Sequence, residues 1–556
     1  MNLPEPQSVT FTSLFAEIEN GTIKIPQFQR DFVWSKAKSA KLLDSIVKGY
    51  PIGTFILWKT NERLRSIRNL GGVALPETPK GDAVKYVLDG QQRLTSLFVT
   101  LKGLAIEREN QEEDFSRLWV DLAVSEHEEI VLMETEGHDE KKIIQLKALL
   151  SGDFAYLASF PKELQERIRT YKSRIESYQF SAILMKEAAI DVATEVFTRL
   201  NVGGEPLSVF EIMVAKTFDP DKKFDLAEKF NALKADLQSV DYDTLQPATI
   251  LQTVAVLIRK DCRRREILNL QKQDVIKAWP KAVDAIHASV DYFRNYYRIP
   301  VSRLLPYPGL IIPFAYFFYK HPDKPTGDRQ KFLQDFFWRV SLGGRYSQSF
   351  EARVAQDVGK IDQILKGKLP KYDWAVDVSP QFIENNGYFS TSRSFVKAIL
   401  CVLAHKEPKS FVDNSIVRLD NSFLKQANSK NYHHFFPKSW LEKQGMDWGR
   451  INHLANITLV DDFLNKRLIR AQSPKVYMKE FISKNPDIDR CLSTHLIKLN
   501  SSFGVMNDDY ESFFDARCKA ISHELSRRVI PQEVDKIGTA KGAEETVVEQ
   551  EEWLAS

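Results

Sequence analysis

The spacing of apolar residues changes along the chain, and this change limits the folds that are open to it. Over residues 1–220, short apolar strand patterns at 55–58, 86–88 and 118–122 alternate with helical patterns. Such alternation indicates an α/β or α+β domain. Helical spacing dominates afterwards, for example in FDLAEKFNALKADLQSV and RQKFLQDFFWRVSLGG. We therefore expect an α+β multidomain protein with a mainly helical middle region.

The length of the chain requires more than one hydrophobic core. At 556 residues it exceeds the size at which single cores stop growing. Composition divides it into a first domain, a helical middle region, a third domain rich in histidine and an acidic tail predicted to be disordered; these are residues 1–225, 226–404, 405–532 and 533–556. The net charge of +3 is close to neutral, so a nucleic-acid surface would have to be a local patch.

Cysteine usage and hydropathy argue against several classes of protein. The four cysteines, Cys262, Cys401, Cys491 and Cys518, are far apart and form no C-x-x-C pair, which argues against a structural zinc site and a disulfide framework. No apolar run approaches the length of a membrane span. The first residues lack the basic and apolar regions of a signal peptide. A cytoplasmic protein without a membrane partner is expected.

The stretch VLDGQQRLTSLFVTL, residues 87–101, places polar residues where a strand pattern runs into a helix. The helix has one apolar face, formed by Leu94, Leu97, Phe98 and Leu101. The free N–H groups and the dipole at such a helix entry favour an anion such as phosphate, and Arg93 would add a forked donor. We expect this arginine to be exposed and to contribute little to the fold. The alternative is structural, with Asp89 as the N-cap of a solvated first turn.

Two further segments of the first domain place an arginine beside a turn. IKIPQFQRDFVW carries Gln29 and Arg30 after a proline-restricted stretch. EVFTRLNVGGEPLSVFEI carries Arg199 and Asn201 before a Gly-Gly turn. By composition alone, such arginines at element ends are commonly surface charges.

Three motifs, IPQFQRDFVW, LDGQQRLTSL and FTRLNVGGEPLSVFEI, occur in this order over the first domain. Together they resemble the N-terminal domain of the GmrSD family of modification-dependent restriction enzymes, which is related to the ParB and sulfiredoxin fold. The resemblance implies a site that binds and hydrolyses a nucleoside triphosphate. Its residues would be Asp89, Gly90, Gln91, Gln92 and Arg93, with Gln29, Arg30, Arg199 and Asn201 as neighbours. The chain has no G-x-x-x-x-G-K-[ST] loop, so this would not be a P-loop enzyme.

A second candidate site lies in NYHHFFPKSWLEKQGMDWGRINHLANITLVDDFLNKRLI, residues 431–469. The pattern indicates a strand, a polar loop, a second strand at 457–460 and a helix that begins near Asp461. Hydrolysis of a phosphodiester needs a base for water and a cation for the charge that develops on the phosphate. Adjacent histidines, His433 and His434, can serve both needs, and a carboxamide can complete a metal's coordination. The alternative is a structural histidine pair, which leaves Asn456 and Asn465 around the strand-to-helix junction unexplained.

This segment is similar to the HNH, or His-Me finger, nuclease motif, a ββα-metal finger. The resemblance makes His434 the general base, Asn456 the residue that orients it, and His433 and Asn465 the metal ligands. The expected metal is Mg²⁺. Because His433 stands where Asp or Glu is frequent, the metal preference stays open, and Mn²⁺ or another divalent ion is the alternative. His453 is a further candidate that falls outside the motif. The candidate phosphate contacts are Lys466, Arg467 and Lys475.

The two resemblances in one chain suggest that a nucleotide site regulates a nuclease site. The expected protein is a metal-dependent DNA endonuclease of antiphage defence that cleaves modified DNA and hydrolyses a nucleoside triphosphate in its N-terminal domain. Two alternatives stay open, an RNA-cleaving toxin with the same fold and a nucleotide-sensing DNA-binding regulator with an inactive finger. The sequence leaves the DNA modification, the nucleotide and the oligomeric state open, a homo-oligomer included.

Overall fold

The computed structural model describes residues 3–26, 32, 34–64, 66, 69–70, 73–108, 111–200, 208–219, 221–419, 432–460, 469 and 471–537. The chain divides into two compact units, residues 1–224 and 225–554. The first unit carries the motifs that resemble a nucleotide-binding domain. The second unit carries the helical region and the histidine-rich segment.

The first unit contains both strands and helices. Its strands are β1 (Glu5–Thr10), β2 (Ile23–Lys24), β3 (Phe55–Thr60), β4 (Asn69–Leu70), β5 (Val73–Ala74), β6 (Val84–Asp89), β7 (Ala105–Arg108), β8 (Gln111–Asp114), β9 (Trp119–Asp121), β10 (Val131–Leu132), β11 (Ile143–Gln145) and β12 (Gln179–Lys186). Its helices are α1 (Phe11–Glu19), α2 (Lys36–Val47), α3 (Gln91–Lys102), α4 (Leu146–Ser151), α5 (Phe154–Ala158), α6 (Lys162–Glu176), α7 (Ile190–Leu200) and α8 (Val209–Thr217).

A mixed sheet forms the centre of the first unit. Among the described residues its strand order is β1-β12-β3-β6-β2; β12 runs parallel to β3 and β2 parallel to β6, while the other neighbours are antiparallel. Leu57 of β3 pairs with Val87 of β6. Both side chains belong to the same buried core as Leu43 of α2 and Leu97 of α3. The expectation of a mixed α/β fold for this region is confirmed.

Helix α3 begins directly after the central strand β6. Leu94, Leu97 and Phe98 are buried on one face, as the spacing of apolar residues predicts. Gly90 is the N-cap residue and has a φ of 90°, a conformation that only glycine adopts without strain. A Cβ at Gly90 would also lie 2.5 Å from Cδ1 of Phe55. The strand-to-helix turn therefore requires a glycine for two independent reasons.

The second unit is mainly helical. Its helices are α9 (Leu226–Gln238), α10 (Pro247–Arg259), α11 (Arg264–Leu268), α12 (Lys272–Asn295), α13 (Ile311–Lys320), α14 (Gly327–Leu342), α15 (Phe350–Leu365), α16 (Pro380–Asn386), α17 (Ser394–His405), α18 (Lys438–Lys443), α19 (Trp448–Ile451), α20 (Pro474–Lys484), α21 (Ile488–Thr494), α22 (Tyr510–Ser526) and α23 (Glu533–Ile537). Single 3₁₀ turns lie at Ser302–Leu304, Pro308–Leu310, Leu454–Asn456, Ser501–Phe503 and Val505–Asn507.

Helix α13 lies at the centre of the helical region. Its sequence IIPFAYFFYK is apolar on all sides, and residues from Ile311 to Phe318 are buried, as expected for a helix surrounded by others. Helices α10, α12 and α15 pack around it. No helix in the described ranges is both long and apolar enough to span a bilayer.

The histidine-rich segment forms a two-stranded antiparallel ladder of β13 (Tyr432–His434) and β14 (Ile457–Leu459). We call this pair of strands the histidine hairpin. Helix α22 packs against the 3₁₀ turn that precedes β14 and against α16. The hairpin is thus a small strand element supported by helices.

The segment predicted as a disordered tail, 533–556, starts with an ordered helix. The guanidinium of Arg339, which is fully buried, forms two hydrogen bonds to the carboxylate of Asp535 at 3.0 and 2.6 Å. The backbone N–H of Ile530 also donates to Asp335 at 2.7 Å. These buried polar contacts fix α23 against α14, because a buried charge without its partner is costly. Residues 538–556 lie outside the described residues.

Candidate functional site

The first candidate site is the turn between β6 and α3. The structure brings together five of the nine residues that the GmrSD resemblance implicates, Asp89 to Arg93, because they are consecutive at this junction. The N-cap of α3 is Gly90, and it has no side-chain capping hydrogen bond. The interpretation of Asp89 as an N-cap is therefore wrong. Its carboxylate instead lies 3.0 Å from Nη2 of Arg93, one helical turn further on.

Arg93 is used by the fold. Its Nη1 donates to the carbonyl of Ile52 at 2.8 Å, and its Nη2 donates to the carbonyl of Thr54 at 3.0 Å. The backbone of Gly53, with a φ of 88°, passes so close that a Cβ there would collide with Nη1. The side chain is only 18% exposed. The expectation of an exposed arginine that contributes little to the fold is wrong, since its partners come from a distant loop.

The remaining predicted residues of this site have different environments. Gln91 and Gln92 are buried, and Oε1 of Gln92 accepts from the backbone N–H of Trp34 at 3.3 Å. Arg199 is exposed at the end of α7 and pairs with Glu195 at 2.6 Å. Gln29, Arg30 and Asn201 lie outside the described residues.

Next to this turn, α2 and α3 bury hydroxyl groups that sequence reasoning did not single out. The hydroxyls of Ser39, Thr95 and Ser96 are buried and have no hydrogen-bond partner within the described part of the chain. Buried polar groups are nearly always paired with protein or ordered water. The interior beside the turn therefore contains three hydroxyl groups that could bind ordered water.

The second candidate site is built on the histidine hairpin. His434 pairs with Ile457 across the ladder, and His433 pairs with Thr458. Because successive residues of a strand point to opposite faces, the two imidazoles leave the backbone on opposite sides. His433 is buried, whereas His434 is partly exposed.

The environment of His434 determines which ring nitrogen is basic. Its Nε2 lies 3.2 Å from Oδ1 of Asn452. The amide orientation of Asn452 is fixed because its Nδ2 donates to the carbonyl of Phe389 at 3.3 Å, and a carbonyl only accepts. Nε2 of His434 therefore carries the proton, which leaves Nδ1 as the nitrogen that can accept one.

The pKa of His434 is lowered. Burial of the ring is the main cause; the hydrogen bond to Asn452 opposes it, and the positive charge of Lys438 lowers the pKa further. Because the ordinary pKa of histidine is about 6.5, a lowered value keeps the ring neutral at neutral pH. A neutral imidazole with a bare Nδ1 is the form that a general base requires.

Asn456 acts on the backbone of the hairpin. It is fully buried, and its Oδ1 accepts from the backbone N–H of Phe436 at 2.8 Å. Its Nδ2 donates to the carbonyls of Phe436 and Ile451 at 3.0 and 3.1 Å. Asn456 therefore holds the chain two residues after His434. Asn452, which contacts the imidazole itself, was missed by sequence reasoning; its polar position four residues before Asn456 was the available signal.

His453 has a structural environment. Its Nε2 donates to the carbonyls of Ile383 and Glu384 at 3.2 and 3.1 Å, and its Nδ1 accepts from the N–H of Ala455 at 3.0 Å. Burial lowers its pKa to about 4. Gly387 packs so closely that a Cβ there would collide with the ring. Since both nitrogens are used, this histidine is not available to a metal or a proton.

A buried arginine of α22 is hydrogen bonded to the backbone of the hairpin where β14 begins. Arg517 is fully buried on α22, and it donates to the carbonyls of Ile457 and Ala455 at 2.9 and 3.4 Å. Burial lowers its pKa to about 9. These two carbonyls flank Asn456, so α22 fixes the strand that carries it.

The structure describes some of the predicted metal ligands and phosphate contacts. Asn465, Lys466 and Arg467 lie outside the described residues, and Lys475 is exposed at the start of α20. Within the described ranges, no group of three or more His, Cys, Asp or Glu side chains could hold a metal ion. Of the two predicted ligands the structure shows His433 alone. An imidazole suits transition metals better than Mg²⁺.

The first unit has a known family resemblance. Residues 11–218 match the family model described as GmrSD restriction endonuclease, N-terminal domain. The resemblance that the three motifs indicate is therefore confirmed for this region, and the first unit is similar to the N-terminal domain of that family.

The chain is also similar to the uncharacterized protein MJ0686 of Methanocaldococcus jannaschii. The identity is 24% over 514 residues, which covers 83% of this chain and 85% of the relative. The similarity therefore extends over parts of both units.

The contacts of Arg93 lead to a prediction about stability. Arg93→Ala should lower the free energy of unfolding by about 2–4 kcal/mol, because it leaves the carbonyls of Ile52 and Thr54 without their donors. Arg117→Ala is the control, since Arg117 of the same unit is 76% exposed and pairs with Asp114 three residues earlier; it should cost less than about 0.5 kcal/mol. Denaturant unfolding of both variants measures the difference. Equal midpoints would show that Arg93 is not a structural residue.

The contact of Asn452 with His434 leads to a prediction about pH. Asn452→Asp places a negative charge next to Nε2, which favours the imidazolium form, so the pKa of His434 should rise by about one pH unit or more. As the pH is lowered, His434 of the variant would become protonated sooner than that of the wild type. A reaction that needs the neutral ring would therefore begin to lose activity at a higher pH. The measurement is an NMR titration of histidine ring protons in chelator-treated protein, assigned with His434→Gln. Asn269→Asp, at the exposed end of α11, should leave the titration of His434 unchanged.

Proposed function

We propose that the protein is a metal-dependent DNA endonuclease of the restriction type, controlled by a nucleoside triphosphate. The observation that carries the proposal is the arrangement of His434, a neutral imidazole whose Nε2 is held by Asn452 and whose Nδ1 is left to accept a proton. The match of residues 11–218 to a restriction endonuclease domain supports the substrate class, DNA. Phosphodiester hydrolysis requires the kind of base that this hairpin presents.

In the proposed reaction, Nδ1 of His434 takes a proton from the attacking water. Asn452 keeps the imidazole in the productive tautomer, and Asn456 and Arg517 hold the backbone on both sides of the hairpin. His433 and Asn465 would hold a divalent ion, which supplies positive charge for the phosphate and the leaving oxygen. His434 is the last residue of β13, so the chain at this strand end would have to bring the two imidazoles, which leave the strand on opposite sides, to one site. Lys466, Arg467 and Lys475 would contact neighbouring phosphates. Together these residues form a ββα-metal, HNH-type finger within residues 405–532.

The proposed nucleotide site is the turn at residues 89–93. Gly90 leaves the start of α3 uncapped by a side chain, and a helix start of this kind favours phosphate. Both terminal nitrogens of Arg93 are already hydrogen bonded, so its role is to position the turn for the phosphates. Gln29, Arg30, Arg199 and Asn201 complete the proposed set. The site would hydrolyse the nucleotide, and the fold around it would be ParB-like.

The biological role that fits this chemistry is antiphage defence in the cytoplasm. The substrate would be modified phage DNA, and the ion would be Mg²⁺ or, given the imidazole of His433, a transition ion such as Mn²⁺. The alternatives are an RNA-cleaving toxin and a nucleotide-sensing regulator that binds DNA without cleaving it. An assay with modified plasmid, unmodified plasmid and RNA, each with a panel of divalent ions and nucleoside triphosphates, separates them.

A substitution of the proposed base tests the nuclease. His434→Ala should reduce phosphodiester cleavage by roughly two to four orders of magnitude, because a general base contributes that much to the rate. Nucleotide hydrolysis and thermal stability should be unchanged. His523→Ala is the matched control, since this histidine is exposed on α22. Full cleavage by a folded His434→Ala variant would refute the assignment of the base.

Amide hydrogen exchange tests the nucleotide site without a substitution that disturbs the fold. The nucleoside triphosphate that binds should slow exchange of the backbone amides at residues 90–93. At a hundredfold excess over its dissociation constant it should also stabilise the protein by about 2.7 kcal/mol. Each triphosphate is compared with its nucleoside, which lacks the phosphates. If no triphosphate protects these amides, the turn is a structural feature only.

A further inference from the structure

An exposed tryptophan lies next to the histidine hairpin, and a lysine lies over its ring. Trp448, the first residue of α19, is 46% exposed. Nζ of Lys438, the first residue of α18, lies 4.3 Å from the centroid of the tryptophan ring. The indole of a tryptophan offers a large flat apolar face together with a polar N–H, and such rings are enriched at binding surfaces. The combination of an aromatic face and a cation is typical of surfaces that bind single-stranded nucleic acid.

Both residues are linked to His434, the tryptophan through Asn452 and the lysine through the chain. The backbone N–H of Asn452 donates to the carbonyl of Trp448 at 2.9 Å, and the side chain of Asn452 holds the imidazole. Lys438 follows His434 by four residues along the chain. The tryptophan is therefore tied to the residue that orients the proposed base, and the lysine over its ring starts the helix that follows that base.

The contacts that hold Lys438 over the ring are weak. Its ion pair with Glu442 is 3.7 Å long, and both side chains are about half exposed, so water screens it. A cation over an exposed aromatic ring is held less strongly than a nucleobase that stacks on the same ring. A base can therefore displace the ammonium, and the released ammonium can reach the phosphate of that nucleotide.

We propose that Trp448 and Lys438 form a subsite for one unstacked nucleotide of the DNA bound at His434, with the base on the indole and the phosphate at the ammonium. This inference rests on the proposed function and specifies its substrate further. Inside a duplex both faces of a base are covered by its neighbours, so a base can stack on Trp448 only after it has left the helix. The preferred substrate is therefore DNA that is single-stranded, or opened, at the cleavage position.

The test measures stacking directly and without cleavage. His434→Ala protein, without divalent ion, is titrated into a single-stranded DNA oligonucleotide that contains 2-aminopurine, whose fluorescence falls when the base stacks on an aromatic ring. When Trp448→Leu is introduced as a second substitution in this protein, the quenching should disappear and binding should weaken about five- to 100-fold. Trp448→Phe should keep part of both. Phe154→Ala, at an 87% exposed aromatic of the first unit, should change neither.

The lysine has its own measurement. Lys438→Gln should make the slope of log affinity against log salt concentration shallower by about 0.7, the value for one phosphate contact on a single strand. Lys443→Gln is the control, because this lysine is exposed on the same helix. It should leave the slope unchanged. Equal slopes for the two variants would remove Lys438 from the subsite.

The results separate this proposal from the nuclease assignment. Quenching that persists in Trp448→Leu, quenching as strong with fully paired duplex, or no quenching at all would overturn the subsite. An RNA oligonucleotide of the same sequence, also carrying 2-aminopurine, is titrated in parallel, and a response to it alone would overturn the assignment of the subsite to DNA. If the wild type cleaves no polynucleotide with any ion while Trp448-dependent quenching of DNA is present, the nuclease proposal fails and the binding subsite stands.

Discussion

The hydrogen bonds of the Asn456 side chain determine the geometry of the histidine hairpin. This amide is fully buried, and three hydrogen bonds join it to Phe436 and Ile451. A buried amide that loses its partners costs about 1–3 kcal/mol per group, so the two stretches of chain that leave β13 and enter β14 cannot move apart cheaply. His434 lies two residues from one stretch, and Asn452 lies next to the other. The relative position of His434 and Asn452 therefore depends on Asn456, although the hydrogen bonds of the Asn456 amide go to the backbone and not to these two side chains.

The first unit uses the same physical device with a different residue. The guanidinium of Arg93 joins the start of β3 to the start of α3 through the carbonyls of Ile52 and Thr54. In both units a buried or partly buried polar side chain satisfies backbone groups that no regular element satisfies. Polar residues at a candidate site thus do two kinds of work. Some are candidates for contact with a ligand, and others hold the backbone that carries those candidates.

The spacing of apolar residues within one segment predicted the features that depend on that segment alone. The apolar spacing of Leu94, Leu97 and Phe98 predicted α3, and the strand-to-helix turn at Gly90 followed from it. Contacts between distant parts of the chain were not predictable in this way. Asn452 depends on Phe389, 63 residues earlier, and Arg93 depends on carbonyls 41 and 39 residues earlier. No spacing rule within a single segment contains that information. The proposed roles of Asn465, Gln29, Arg30 and Asn201 concern residues outside the described ranges.

The histidines of the second unit show why residue type alone does not identify a catalytic group. In His453 both ring nitrogens have partners, and burial lowers its pKa to about 4. In His495 burial has the same effect, and Nε2 binds the carbonyl of Lys409 at 2.8 Å. His434 differs because a carboxamide holds one nitrogen while the ring stays partly exposed. A ring that is oriented by one hydrogen bond and stays partly exposed can still exchange a proton with water, whereas a ring that is bonded on both nitrogens, or that is fully buried, serves the fold. What separates the candidate base from a structural histidine is therefore the partners of each nitrogen together with the exposure of the ring, and the fold supplies both.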